Sequence, residues 1–366
     1  MPRRVVEPDP ASWWARYGHR LSGSRGAPPG HGGGPAARPE EQTVTGESNG
    51  AGTAGELRDE LILRGRPDRA SRGWRRFLRV ATAGLAKPGP GRGERAERAR
   101  LHRIRQPVDR PQRVAVASIK GGVGKTTVTS CLGLVLAEHR GDRVIALDAN
   151  PDAGTLAERL TGESNVTVRD LIRDLDRVAS WTDLSRYLSL GGRLQVLASE
   201  QDPAASEAFS RDEYERVCAV LGRYFNVIIT DSGTGLVHSA MEGTLALADS
   251  LIVVGAPTVD GASRASKTLD WLGAHAHGAL VGAAVVVLSS DRSSAEIDRS
   301  RIRRHFAART RAVVEVPFDP HLATGGRIEL AQLRPPTREA FYELAALVAD
   351  GFVPAAPVPT NGTFGQ

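Results

Sequence analysis

The sequence predicts a doubly wound α/β fold built on a mostly parallel sheet, preceded by a basic N-terminal arm. Three observations carry this. Short apolar, β-branched runs alternate with longer helical stretches from residue 113 to residue 350. The first run, Val114 to Ala117, passes into a glycine-rich turn, Ser118-Ile119-Lys120-Gly121-Gly122-Val123-Gly124-Lys125-Thr126-Thr127, which opens a helix. Two further runs end in aspartate, at Asp148 and Asp231, and such sheets gather their ligands beyond the carboxyl ends of the strands.

Composition divides the 366 residues into an arm and a body. Residues 1–112 carry 22 Arg or Lys against 12 acids, a net of +10, whereas residues 113–366 carry 26 against 30, a net of −4. A basic arm suits nucleic acid, anionic lipid or an acidic protein surface; a solvated tail is the plain alternative. Near its start, Trp13, Trp14, Tyr17 and Leu21 share one side of a short helix expected over 10–21, read as a docking peptide or as a helix folded back on its own domain. Residues 23–55 are Gly, Pro, Ala, Ser and Thr rich without periodicity and read as a disordered linker. From Ser71 to Leu85, Trp74, Phe77, Leu78, Ala81 and Leu85 recur at helical spacing among Arg72, Arg75, Arg76 and Arg79. This basic amphipathic helix either contacts lipid, DNA or an acidic groove, or packs on the body. A polar helix from Gly91, with Glu94 and Arg98 four residues apart, then delivers the chain to the first strand.

In the body, strands are expected at Val114–Ala117, Val144–Leu147, Leu194–Leu197, Val227–Ile229, Leu251–Val254, Ala283–Leu288 and Val313–Val316. Helices are expected at Val128–Glu138, Val168–Leu175, Asp212–Tyr224, Val237–Ala248, Ala262–His275, Ile297–Ala308 and Arg338–Asp350. The organisation is therefore a low-complexity arm over 1–70, a helical linker over 71–112, the α/β domain over 113–350 and a disordered tail over 351–366. Cys131 and Cys218 have no metal-ligand or C-x-x-C spacing, and no run of about 18 apolar residues occurs. A cytoplasmic protein without a membrane span is expected.

The glycine-rich turn has a specific mechanics. Gly121, Gly122 and Gly124 let the backbone turn its N–H groups, with that of Val123, onto a phosphate; Lys125 reaches the outer phosphates; and the Thr126 hydroxyl can ligate magnesium. Ile119 stands where the strict pattern has glycine, and Lys120 adds a second lysine. Asp231, at its strand end, is the candidate for holding Mg2+ through water, and Asp148-Ala149-Asn150-Pro151-Asp152 closes the neighbouring strand.

Lys120 to Thr127, the Asp148-x-Asn150-Pro151 turn and the Asp231 strand end resemble the deviant Walker A ATPases of the MinD and ParA group over about residues 113–350. The resemblance implies ATP and Mg2+ as cofactors and an ATP-dependent homodimer in which Lys120 reaches the partner's nucleotide. It implies Lys125, Thr126, Thr127, Asp148 and Asp231 at the site, and Pro317 and Asp319 as contacts near the adenine. A narrower resemblance, carried by Asp148–Asp152, Asp231–Ala240, Val259–Ser263 and the Gly73–Arg76 helix, is to the EspI-like actinobacterial ATPases associated with type VII (ESX) secretion. That implies a protein partner in secretion machinery, recruited by the arm.

Departures from the pattern shape the alternatives. Asn150 replaces an aspartate that helps orient water, with Asp152 as candidate substitute, so a non-hydrolysing nucleotide-gated adaptor stands beside an ATPase. Ser289 or Ser290 replaces an asparagine that follows the strand. The last residues lack the basic membrane helix of MinD proteins, and Arg299, Arg301, Arg303, Arg304, Arg309 and Arg311 form either a ParA-like patch for nonspecific DNA or a solvated face. Relatives that carry iron–sulfur clusters or act as tyrosine kinases fit less well, since neither a C-x-x-C nor a terminal tyrosine cluster is present.

Overall fold

The computed structural model describes residues 91–150, 154–162, 164, 166–200, 209–233, 235, 239–289 and 296–352. The expected helices over 10–21 and 71–85, the linker over 23–55, the tail from 353 and Asp152 lie outside the described residues.

An eight-stranded sheet is formed by β1 (Gln112–Ala117), β2 (Val144–Ala149), β3 (Ser189–Gly191), β4 (Leu194–Leu197), β5 (Val227–Ser232), β6 (Ser250–Gly255), β7 (Val285–Ser289) and β8 (Ala312–Val316). Their order is β3-β4-β2-β5-β1-β6-β7-β8, and every pairing is parallel except β3 with β4. The doubly wound, mostly parallel sheet is as the sequence predicts. β1 sits where the winding reverses, with β5 on one side and β6 on the other, which puts the glycine-rich turn at the topological switch point.

Helices cover both faces. They are α1 (Arg92–Ile104), α2 (Lys125–His139), α3 (Leu156–Leu160), α4 (Val168–Asp174), α5 (Trp181–Ser185), α6 (Arg211–Leu221), α7 (Ser239–Leu247), α8 (Val259–Ala274), α9 (Gly278–Ala283), α10 (Arg299–Ala307), α11 (Pro320–Ala323) and α12 (Pro335–Ala349). Alternation along the strands feeds separate cores. Val114 and Val116 of β1, with Val144 and Ala146 of β2, pack with Leu132, Leu136 and Phe341 on one face. Ala115 and Ala117 join Leu269 and Leu272 on the other, where Ile145 and Leu147 meet Leu171 and Val217. The helix α2 runs so close to the sheet that a Cβ on its Gly133 would stand 2.8 Å from Leu194.

The missed elements are short. β3 has three residues and is held by its hairpin to β4, while α3, α5, α9 and α11 have four to six residues each, too few for a period to register. The strand expected from Ala283 begins instead at Val285, because Ala283 ends α9.

The polar helix expected from Gly91 is present as α1, and its end is built into the domain. Ile104 is fully buried. Buried Arg140, beyond α2, donates to the Ile104 carbonyl at 2.7 Å and the Gln106 carbonyl at 3.1 Å while pairing with Asp142. On the outer side Arg103 bonds Asp350 after α12. Arg140→Ala strands two carbonyls and the Asp142 carboxylate, so urea unfolding is expected to show a loss of about 2–4 kcal/mol.

Candidate functional site

The glycine-rich turn curls at the carboxyl end of β1. Gly122 and Gly124 take φ of +72° and +94°, values that a side chain disfavours, and Gly124 leads directly into α2. Its N-cap position carries no side-chain cap, leaving the first N–H groups of the helix for a ligand. Opposite, a Cβ at Gly124 would stand 3.3 Å from Ser289 Oγ at the end of β7. A cleft of about 250 Å³ opens here, lined by Lys120, Gly122, Val123, Gly124 and Thr127 on the loop side and by Ser289, Pro317, Phe318 and Asp319 across from them.

Lys125, the first residue of α2, is only 9% exposed. Burial pulls its ammonium below the ordinary lysine range, and the Asp231 carboxylate opposes that pull. A desolvated cation at a helix N-terminus is a receptor for an anion.

Asp148 and Asp231 are register partners on β2 and β5, exposed by 0% and 2%. Both project toward α2, sharing the strand face of Ala146 and Ile229. Asp231 accepts hydrogen bonds from Thr126 Oγ1 at 2.6 Å and Thr129 Oγ1 at 3.2 Å. Asp148 accepts from the backbone N–H groups of Asn150 and Leu156, each at 3.1 Å, and from Ser199. Burial raises both carboxyl pKa values, and Asp231 raises that of Asp148 further by charge repulsion. Thr126 spends its hydrogen on Asp231 and keeps oxygen lone pairs for a cation. Hydroxyl and carboxylate oxygens in a buried site that disfavours two uncompensated negative charges suit a hard dication. Among the described residues no group of three His, Cys, Asp or Glu could hold a metal by itself, so this donor set relies on Thr126 and on oxygens from outside the chain.

Lys120 stands apart. Its Nζ lies 2.8 Å from Asp260 Oδ2 in an exposed pair, and this contact, with Arg264, holds the Asp260 carboxyl below its usual range. The remaining sequence-predicted residues are distributed as follows. Gly121 lies in the turn and Thr127 lines the cleft. Asn150 follows β2 and donates its backbone N–H to Asp148. Pro317 and Asp319 line the cleft, with the Asp319 carboxylate accepting from the N–H groups of His321 at 3.0 Å and Arg334 at 2.8 Å. In the basic patch, Arg299, Arg301, Arg303 and Arg304 lie on α10, whereas Arg309 is tied to Asp270 and Ser266, and Arg311 donates to the Ala283 carbonyl.

A profile described as the CobQ/CobB/MinD/ParA nucleotide binding domain matches residues 114–324, more than half of the chain. The chain belongs to this family. Its sequence is 31% identical over 287 residues to the ESX-1 secretion-associated protein EspI of Mycobacterium tuberculosis, covering 77% of this chain. It spans 43% of that relative's length. The fold is shared with the ParA family ATPase from Chlorobium tepidum, at a TM-score of 0.57 and 17% identity, over 64% of this chain and 98% of that one. It is also shared with the septum site-determining protein MinD from Pyrococcus horikoshii, a complex with Mg-ADP, at a TM-score of 0.51 and 23% identity, over 64% and 94% of the two chains. No helix among the described residues is long and apolar enough to cross a membrane.

Several residues of this family member's site were not legible beforehand. Thr129 is one helical turn beyond Thr126, a spacing that would have found it. Ser199 follows the end of β4, and the Gly154 N–H donates to Ser199 Oγ at 3.0 Å. A Cβ on Gly154 would collide with Asp148 Oδ2 and Ser199 Oγ together. Arg159 carried no local signal, and Asp260 lay in the Val259–Ser263 stretch without any mark of its contact with Lys120. Gly154→Ala is expected to displace Asp148, with a loss of about 1–3 kcal/mol in urea unfolding and a fall in nucleotide affinity by titration.

Proposed function

We propose that the protein is an ATP-binding dimerisation switch of the MinD/ParA type that hydrolyses ATP to ADP and phosphate and serves type VII secretion or intracellular positioning. The carrying observation is the division of labour between the two lysines. Lys125 is buried at the start of the helix, where a phosphate would restore its lost solvation. Lys120 is held outward by Asp260 at the rim, where a second subunit can take it up. A lysine supplied in trans adds positive charge to the phosphates only when the dimer forms, which couples assembly to nucleotide state.

Other features support this reading. Phe318 lines the cleft and Val259, 81% exposed, directly follows Thr258 of its lining; they are two of the three exposed large apolar residues among those described. Exposed apolar residues around a polar site suit an interface. Thr126, with Asp231 through water, would hold Mg2+, which supplies charge neutralisation to the phosphates when bound, and Asp148 would fix the turn beside it. The Mg-ADP complex of the Pyrococcus horikoshii MinD is consistent with this assignment. Similarity to EspI supports the secretion role, with the basic arm as the recruiting segment for a protein partner.

In sizing chromatography a MgATP-dependent dimer is expected. It should disappear in Lys125→Ala, which loses ATP binding, and in Lys120→Ala, which retains ATP binding. A monomer under every nucleotide condition overturns the proposal. Phosphate release separates a hydrolysing switch from the adaptor reading that Asn150 favours: tight ATP binding with no turnover gives the adaptor.

The row Arg299, Arg301, Arg303 and Arg304 on α10 favours a second reading, ATP-dependent binding of nonspecific DNA. Retention on DNA that falls steeply between about 50 and 200 mM salt, and falls further in a double Arg303→Ala, Arg304→Ala variant, is its test. No retention at low salt removes it.

A further inference from the structure

A second buried cation lies beside the phosphate loop, and the switch described above does not use it. Arg159, on α3, is 7% exposed. Its Nη2 donates to Thr127 Oγ1 at 3.3 Å and to the Leu322 carbonyl at 3.3 Å, and its own carbonyl accepts from the Ile328 N–H at 2.8 Å. One side chain thus joins the segment after β2, the first turn of α2 and α11, whose Leu322 lines the cleft. Arg159 is missing from the ion pairs among the described residues. A buried guanidinium bonded only to neutral oxygens bears the cost of desolvation without a counter-charge.

The hydroxyl it holds faces the site. Thr127 lines the cleft. A hydroxyl has a single hydrogen, and by accepting from Arg159 the Thr127 oxygen turns that hydrogen away from the guanidinium. No acceptor for it occurs among the described residues, since the hydrogen bond to Thr127 is the one from Arg159. A phosphate oxygen in the cleft is the acceptor that completes the chain, and its charge is the one Arg159 lacks.

We propose that Arg159 is a positioning residue of the nucleotide site, fixing the Thr127 hydroxyl as a donor to the ligand's phosphates and placing a permanent positive charge behind it. The role rests on the nucleotide-binding reading and extends it to a residue outside the glycine-rich loop. Burial lowers the pKa of both Arg159 and Lys125, but a guanidinium starts from a much higher ordinary value and keeps its charge.

The test is a double-mutant cycle read by equilibrium binding of MgATP and of tripolyphosphate, a ligand with no base. Arg159→Met is expected to weaken both ligands by a similar factor, about tenfold. Thr127→Val weakens them comparably, and adding Arg159→Met to Thr127→Val costs no more than about twofold further. Arg159→Lys, which keeps the charge, retains most of the affinity. An unchanged affinity in Arg159→Met overturns the proposal, as does an equal loss in the Thr127→Val background. A loss confined to ATP overturns it too, because the residue would then act through Leu322 of α11 alone. Thermal melting of the ligand-free variants reports folding; if Arg159→Met does not fold, Arg159→Lys decides, and a loss as large as that of Thr127→Val counts against the proposal. The wild type and Lys125→Ala arms report separately on the nucleotide-binding reading. If the wild type binds tripolyphosphate but not ATP, that reading fails while the Arg159 cycle still gives its answer.

Discussion

Asp148 and Asp231 lie side by side on adjacent parallel strands, buried from water, and the geometry of the site depends on how that crowding is resolved. Two carboxylates in a low-dielectric interior repel each other and resist ionisation. Each is accommodated by a distinct set of donors. Asp148 takes the N–H groups of Asn150 and Leu156, which ties the start of α3 to the end of β2. Asp231 takes hydroxyls from Thr126 and Thr129, so the first turn of α2 is fastened to β5. A one-residue slip between β2 and β5 would send one carboxylate to the opposite face and separate these elements. The strand register therefore fixes the phosphate loop as firmly as the glycines do.

Positive charge is layered around that acidic centre. Lys125 is close enough to Asp231 to feel its charge, yet burial dominates its titration. Arg159 sits on the far side of Thr127, and Lys120 stands at the rim with Asp260. An interior with two buried acids and two buried cations has balanced formal charge. The exposed Lys120 belongs to the surface and is the one cation of the three that can leave without exposing an unpaired group.

Much of this was readable in the residues. The alternation of strands and helices gave the sheet because parallel strands buried on both faces are continuous apolar runs, and Val144–Leu147 and Val227–Ile229 are such runs. The loop was readable because Gly122 and Gly124 occupy positions of positive φ that glycine adopts without strain. β3 and the short helices α3, α5, α9 and α11 were not, since three to six residues are held by their neighbours rather than by a pattern of their own.

The sequence by itself determined the fold class, the phosphate-binding loop, the two strand-end aspartates and the second lysine, because each is written in contiguous residues whose local conformation follows from residue type. Tertiary structure alone decided that Asp148 and Asp231 are register partners, that Asp260 holds Lys120, that Gly154 must lack a side chain beside Asp148, and that Arg159 reaches Thr127 across 32 residues of chain. These contacts join segments distant in sequence, and their energetics depend on burial, which no run of neighbouring residues encodes.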